Sequence, residues 1–196
     1  MRSASLALIA SLLVVAACGR AEPEVVLPLP PVADERLAQP PLAPPEIEIS
    51  AAAARTRDAL VQQATRGSLK GLAAIAARSP DFKSNLGGQD HERFWDLLRR
   101  TGVDPNRKLR DLFEQPAGLR EIDGVRWYVW PDLAARDAAD LIPEKLTFQE
   151  RRRLEELIGE EGIEHIRSGE GYPGMRTAIS EEGVWIYFVL GQDGEG

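Results

Sequence analysis

The chain has 196 residues, a formal net charge of −7 at pH 7 and a single cysteine. This acidic balance argues against binding to nucleic acid or to an anionic membrane surface, and one cysteine excludes an internal disulfide. The length leaves room for one domain of about 140 residues and a tether.

Residues 1–17 have the pattern of a secretion signal. Arg2 supplies a positive charge, and the run Ala4–Ala17 is apolar apart from two serines. A membrane-spanning helix needs about 20 apolar residues, so this run is too short to cross a bilayer. Its length and the small residues at its end are typical of a cleaved signal peptide.

The sequence Val15-Ala16-Ala17-Cys18 resembles the lipobox of bacterial lipoproteins. The resemblance implies that the Cys18 thiol receives a diacylglyceryl group, that cleavage precedes it, and that its new amine is acylated. Several acyl chains, such as palmitate, hold a protein stably on a membrane. Gly19 is not the aspartate that retains such proteins at an inner membrane, so we expect the outer membrane, facing the periplasm, in a cell with two membranes. The alternative is an ordinary cleaved signal with a chance cysteine.

Residues 18–50 read as a lipidated cysteine followed by a proline-rich tether. Eight of the 14 prolines lie in residues 21–50, which contain no glycine. Proline at this density disfavours helices and sheet pairing, and favours an extended spacer of about 3.1 Å per residue. Thirty residues then reach about 90 Å at most. A proline-rich ligand for a partner is the alternative interpretation.

The sequence from 51 to 196 is predicted to form one globular domain that begins with helices. A first helix follows Ser50 and stops at Gly67. Ser68 caps a second helix with apolar residues at helical spacing, namely Leu69, Leu72, Ala73 and Ala76. The next stretch, "PDFKSNLGGQ", breaks the pattern and fits either a short strand or a loop.

Three more helices have clear start and stop signals. The third has Asp90 as its cap, Gly102 as its stop and a stripe formed by Phe94, Leu97 and Leu98. The fourth begins at Asp104 and Pro105, and its apolar residues are Leu109, Leu112 and Phe113. The fifth begins with the capping box of Thr147 and Glu150, buries Leu154, Leu157 and Ile158, and ends at Gly159 before a short further helix.

Two stretches change to the period of a strand. Asp123-Gly124 between apolar runs predicts a β-hairpin over "LREIDGVRWYVW". "MRTAISEEGVWIYFVL" predicts a second hairpin. Its last strand alternates, with Trp185, Tyr187 and Val189 on one face and Val184, Ile186, Phe188 and Leu190 on the other. Apolar residues on both faces predict a central, doubly covered strand. The fold class is therefore α+β, with several short helices packed on a small antiparallel sheet built from two hairpins.

The second hairpin resembles the end of uncharacterised Gram-negative envelope proteins with the pattern Y-x-G-x-R-x-x-I…G-x-W-x-Y-F-V. The resemblance implies a shared fold and carries no activity. The matching residues are Tyr172, Gly174, Arg176, Ile179, Gly183, Trp185, Tyr187, Phe188 and Val189.

The sequence contains no catalytic or cofactor motif that its context supports. "GEGYPG", residues 169–174, matches G-x-G-x-x-G, but a predicted helix precedes it and a strand follows, the reverse of the dinucleotide-binding order. His91 and His165 are the only histidines, and no H-E-x-x-H or second cysteine accompanies them. We therefore predict no cofactor, no metal and no catalytic residue.

Aromatic side chains supply the candidate binding surface. Most aromatics of the sheet region are expected in the core, and Tyr172, in the turn before Pro173, is the first choice for exposure. Arg176 lies beside it in sequence. Because aromatic and arginine side chains are typical interface anchors, the predicted surface comprises Tyr172, Arg176, Trp127 and Trp185.

These observations favour a lipid-anchored, non-enzymatic accessory module of the cell envelope that binds the membrane through lipid on Cys18 and has an envelope protein as its partner. The alternative is a small-ligand-binding domain similar to NTF2-like folds, with an apolar pocket lined by Trp127 and Trp185. A hydrolase is the least favoured alternative. A serine or an acid within hydrogen-bond reach of His91 or His165 in a cleft would favour it.

Overall fold

The computed structural model describes residues 47–79, 81–85 and 90–191. Its helices are α1 (Ala51–Thr65), α2 (Leu69–Ala76), α3 (His91–Arg100), α4 (Pro105–Phe113) and α5 (Phe148–Arg167). Its strands are β1 (Gly118–Ile122), β2 (Val125–Trp130), β3 (Met175–Ser180) and β4 (Trp185–Leu190). Short 3-10 turns between Asp132 and Lys145 connect β2 to α5.

Side-chain caps begin these helices, and the caps at Ser68, Asp90 and Asp104 were predicted. Ser50 Oγ accepts from the Ala53 amide at 3.1 Å, and Ser68 Oγ accepts from the Gly71 amide at 3.0 Å. Asp90 and Asp104 cap α3 and α4 in the same way, which satisfies amides that the first turn of a helix leaves unpaired.

α5 confirms the predicted capping box and the predicted interruption. Thr147 Oγ1 accepts from the Glu150 amide, and the Glu150 carboxylate accepts from the Thr147 amide. Gly159 has φ 66° and ψ −174°, which is not helical. The element therefore consists of two helical segments that meet at Gly159.

The four strands form one antiparallel sheet in the order β1-β2-β3-β4. This confirms the α+β class and the two hairpins. Helices α1–α4 cover one face, where they form the first core cluster with the sheet. Its buried members are Ala53, Leu60, Leu69, Leu72, Ala76, Trp95, Leu109, Leu112, Tyr128, Trp130, Ile179, Trp185 and Phe188.

The 3-10 turns and α5 cover the opposite face of the sheet. Neighbouring residues of β2 separate the two faces, because Tyr128 belongs to the first cluster and Val129 to the second. The domain thus has three layers, with the sheet in the middle. The buried members of the second core cluster are Val129, Leu133, Ala134, Leu141, Leu146, Leu154, Ile166, Tyr172 and Ala178.

The last strand is covered on both faces, but it is not central as predicted. β4 is the final strand in the order of the sheet. Among the described residues, its outer edge pairs with Lys83, whose amide donates to Ile186 O at 3.1 Å and whose carbonyl accepts from the Phe188 amide at 3.0 Å. Because Lys83 covers part of this edge, β4 can have the apolar composition that is typical of an inner strand.

The strict alternation predicted for β4 is also wrong. The register pairs Ala178 with Tyr187 and Ile179 with Trp185, so Ile186 is an extra residue, a β-bulge. The bulge moves Trp185 to the same face as Phe188, where the two rings stack with centroids 6.1 Å apart.

Helix α3 buries a stripe that matches the predicted one only in part, because Phe94 and Leu98 pack against the first core cluster and Leu97 does not. Leu97 is 59% exposed, whereas Trp95 is 0% exposed. The inward face follows His91, Trp95 and Leu98, which are spaced by four and three residues and therefore lie on one side of the helix. The prediction placed Leu97 on that side and missed Trp95.

Candidate functional site

The four side chains predicted to form a binding surface do not share one face of the domain. Trp185 is 1% exposed and lies in the first core cluster, where its Nε1 donates to Thr177 Oγ1 at 2.8 Å. Trp127 and Tyr172 belong to the second cluster, on the opposite face of the sheet. Trp127 and Trp185 therefore do not line one pocket, the arrangement that would have favoured the ligand-binding alternative.

Tyr172, the first choice for exposure, is buried with 7% of its surface exposed. Its ring folds over Gly174, where an added Cβ would lie 2.7 Å from the tyrosine hydroxyl oxygen. Burial raises the pKa of Tyr172, and the nearby charge of Arg176 opposes that rise. The side chain packs the turn between α5 and β3, which corrects the prediction of an exposed anchor.

Arg176 supports the same turn. It is half-buried, and its Nη1 donates to the Gly174 carbonyl at 3.1 Å. Residues 169–174 thus connect a helix to a strand, as predicted, and the G-x-G-x-x-G match there has no dinucleotide-binding context.

Cys18 and the tether as far as residue 46 lie outside the described residues, whereas Ile47 and Ile49, near the predicted end of the tether, pack against the first core cluster. Within residues 47–79, 81–85 and 90–191, no helix has the length and apolar character of a membrane span.

The structure brings together two side chains that the sequence did not connect. Ser84 Oγ lies 3.1 Å from Nδ1 of His91. Both residues are half-buried, so neither side chain is fully withdrawn from solvent. A hydroxyl and an imidazole at this distance have the geometry of a nucleophile and its base.

Ser84 is positioned by the segment that pairs with the edge of the sheet. On one side of it, Lys83 makes both backbone hydrogen bonds to β4. On the other side, Asn85 Oδ1 accepts from the Leu190 amide at 2.7 Å. The serine is therefore fixed between two residues that are bonded to the same strand.

His91 is positioned by the start of α3 and by aromatic rings. It is the first residue of the helix, directly after the cap Asp90. The imidazole stacks on Trp95, with centroids 5.7 Å apart, and contacts Phe82 in an edge-to-face arrangement at 4.9 Å. Burial lowers the pKa of His91 from its usual 6.5, and the neighbouring Asp90 carboxylate opposes the shift. This lowered pKa favours the neutral form of the ring.

The second histidine also has an acid within reach. His165 Nε2 lies 3.1 Å from Glu170 Oε2, and Ser168 Oγ donates both to the His165 carbonyl and to Glu170 Oε1. These contacts surround the end of α5. Ser168 donates to a backbone carbonyl and a carboxylate rather than to an imidazole, so the cluster supports a helix end.

A groove of about 410 Å³ lies where β3 begins and β4 ends, between α4 and α5. Lys108 and Glu161 line it on opposite walls, and no ion pair joins the two in the described part of the chain. Most of its other lining is apolar or glycine, namely Val103, Leu157, Ile158, Gly162, Pro173, Gly174, Met175, Leu190 and Gly191.

The basic stretch over α3 and α4 is largely compensated by acids of the same helices. Arg99 and Arg100 both pair with Asp96, at 2.6 Å each, and Arg107 lies 3.9 Å from Asp111. These contacts fit the solvated helix faces expected from the sequence.

Comparisons with known proteins give no family for this chain. No family model matches it, and no curated protein or solved structure matches it with significance. Among the described residues, no group of three or more His, Cys, Asp or Glu side chains is placed to hold a metal ion. The site must therefore be interpreted from its own geometry.

Proposed function

We propose that the chain is a lipid-anchored cell-envelope protein whose domain acts as an accessory interaction module for another envelope protein. The observation that carries the proposal is the position of Cys18, directly after the small residues Ala16 and Ala17 at the end of the apolar run Ala4–Ala17. In a compartment that oxidises thiols, an unpaired cysteine is a liability unless it is modified.

The proline-rich tether supports the same proposal. A spacer that reaches up to about 90 Å holds a folded domain away from the lipid surface, where it can contact a protein that is not next to the anchor. In a cell with two membranes, Gly19 in place of aspartate favours the outer membrane, with the domain in the periplasm.

The test compares the natural sequence with Cys18→Ser and Gly19→Asp. We expect palmitate labelling and membrane association in the natural sequence, loss of both in Cys18→Ser, and retention at the inner membrane with lipid in Gly19→Asp. Cross-linking in intact cells should capture a stoichiometric envelope protein only when the anchor is present. Equal solubility of all three forms contradicts the anchor. Membrane association without any cross-linked partner contradicts the accessory role.

A small-ligand-binding function is the second candidate, at a different place from the one predicted. The groove between α4 and α5 has a volume within the range typical of sites for small molecules, and apolar side chains line part of it. Val103 is a half-buried loop residue in its wall. A fluorescent apolar dye should bind the natural sequence, bind at least about tenfold more weakly to Val103→Lys, and bind unchanged to Val184→Lys, a control at an exposed turn outside the groove. Equal binding to both variants contradicts this candidate.

A further inference from the structure

We propose that Ser84 and His91 form a nucleophile–base pair that cleaves uncharged aryl esters of apolar acids. This activity goes beyond the accessory function and does not depend on it, because the domain carries both residues whether or not Cys18 bears lipid. It corresponds to the alternative that the sequence favoured least.

The first support is distance and placement. Ser84 Oγ and His91 Nδ1 are 3.1 Å apart, within the range of a nucleophile and its general base. Each is held by separate anchors, the serine by the backbone bonds around it and the histidine by α3 and two rings. A pair fixed in this way needs little reorganisation before reaction.

The second support is the charge around the imidazole. The ring neighbours Phe82 and Trp95 carry no charge, and burial keeps the ring neutral, so that Nδ1 can accept a proton. Once the ring is protonated, the carboxylate of Asp90 stabilises the imidazolium. This is the electrostatic role that an acid has in serine–histidine catalysis.

The chemistry is acyl transfer in two steps. Ser84 Oγ attacks the ester carbonyl carbon while its proton passes to His91 Nδ1. The bond from that carbon to the leaving oxygen breaks, and His91 returns the proton to the leaving phenolate. Water, deprotonated by the same nitrogen, then attacks the acyl-serine ester, which releases the carboxylic acid and restores the Ser84 hydroxyl.

The surroundings of the pair indicate the substrate class. Half-buried Phe82 beside the imidazole offers an apolar contact for the substrate. In the described part of the chain, no carboxylate accepts a hydrogen bond from the other nitrogen of His91. An imidazole without that partner is a weaker base, so the leaving group must be a good one, such as a phenolate.

The experiment uses the full purified chain with a fluorophosphonate probe and with 4-nitrophenyl butyrate. We expect an increase in intact mass by one probe, with the label on the peptide that contains Ser84. Ser84→Ala should lose labelling, and ester hydrolysis should fall at least about a hundredfold. His91→Phe, which keeps a ring between Phe82 and Trp95, should give the same loss while the circular dichroism stays native.

Ser168→Ala is the matched control, because its hydroxyl lies beside the other histidine without contacting the ring. It should label and hydrolyse like the natural sequence. The hydrolysis rate should rise with pH through an apparent pKa below 6.5, since only neutral His91 accepts the proton. The proposal is overturned if the natural sequence takes up no probe, or if the label lies on a peptide without Ser84. Neither result depends on how a variant folds.

Discussion

Trp95 shows how much a single side chain contributes to the first helical layer. It is 0% exposed, and its ring centroid lies 6.0 Å from those of Trp185 and Phe188. Its Nε1 has no hydrogen-bond partner among the described residues. The side chain therefore stabilises the fold through packing and burial of apolar surface rather than through a polar contact.

Replacement of Trp95 by alanine should leave a large cavity in the first core cluster. Removal of a buried aromatic side chain costs about 3–5 kcal/mol, and we expect a loss of this size in the free energy of unfolding measured with urea. Leu97→Ala, on the same helix but 59% exposed, should change it by less than about 0.5 kcal/mol. If Leu97→Ala lowered the free energy of unfolding more than Trp95→Ala, the result would contradict this packing and support the inward face that was predicted from sequence.

His91 should make the stability of the domain depend on pH. Its pKa in the folded state is below the usual 6.5 because of burial, so the unfolded chain binds more protons near pH 6. Stability is therefore complete above about pH 6.5 and falls as the pH decreases toward the folded pKa. Melting temperatures between pH 8 and pH 5 should decrease in the natural sequence and decrease less in His91→Phe. If the melting temperature changed with pH by the same amount in both proteins, His91 would be excluded as the cause of the pH-dependent stability.

At the scale of elements, Gly159 determines the shape of α5. Its φ of 66° lies in the left-handed region, and an added Cβ would meet nothing within 4 Å. The requirement for glycine is thus conformational rather than steric. The break keeps Leu154, before it, and Ile166, after it, both buried in the second core cluster.

Gly159→Ala should therefore lower the free energy of unfolding by about 1–2 kcal/mol, the cost of a left-handed conformation for a residue with a side chain. Gly171→Ala is the control, because that glycine also has open space and its φ is not positive. It should be neutral within about 0.5 kcal/mol. Thermal denaturation of both variants checks the prediction, and equal melting temperatures would contradict the role of the break.

Elements with local signals could be predicted from the sequence, whereas their long-range partners could not. The caps at Ser68, Asp90 and Thr147 and the Asp123-Gly124 turn act within a few residues, and each is confirmed. The bulge at Ile186 depends on the partner strand, so nothing in the alternation of "WIYFVL" reveals it. The sequence also could not show that residues 81–85 pair with β4 and bring Ser84 to His91.

At the scale of the whole molecule, the three layers protect the strands unequally. β3 lies between two strands, and its last four residues are buried. β1 pairs only with β2 among the described strands, and three of its five residues are exposed. The middle of the sheet is therefore the part that opens only when both helical layers separate from it.

Amide hydrogen exchange should reflect this difference. Paired amides of β3 should exchange at least about tenfold more slowly than paired amides of β1, since local opening at an edge requires less free energy than global unfolding. Mass spectrometry of peptides from the two strands measures the ratio. Equal protection would mean that β1 opens only when the whole domain unfolds.

The segment that includes Lys83 and Asn85 has a consequence for self-association. It occupies backbone groups along the outer side of β4, which, within the described part of the chain, leaves β1 as the side at which the sheet can accept another strand. If two copies pair through β1, the outer edge of the combined sheet in each copy is β4, whose backbone groups are already hydrogen-bonded. A third copy therefore has no free edge to pair with. Edge-to-edge growth then closes at a symmetric pair, so the same contacts that fix Ser84 also prevent the domain from polymerising into fibrils through its sheet.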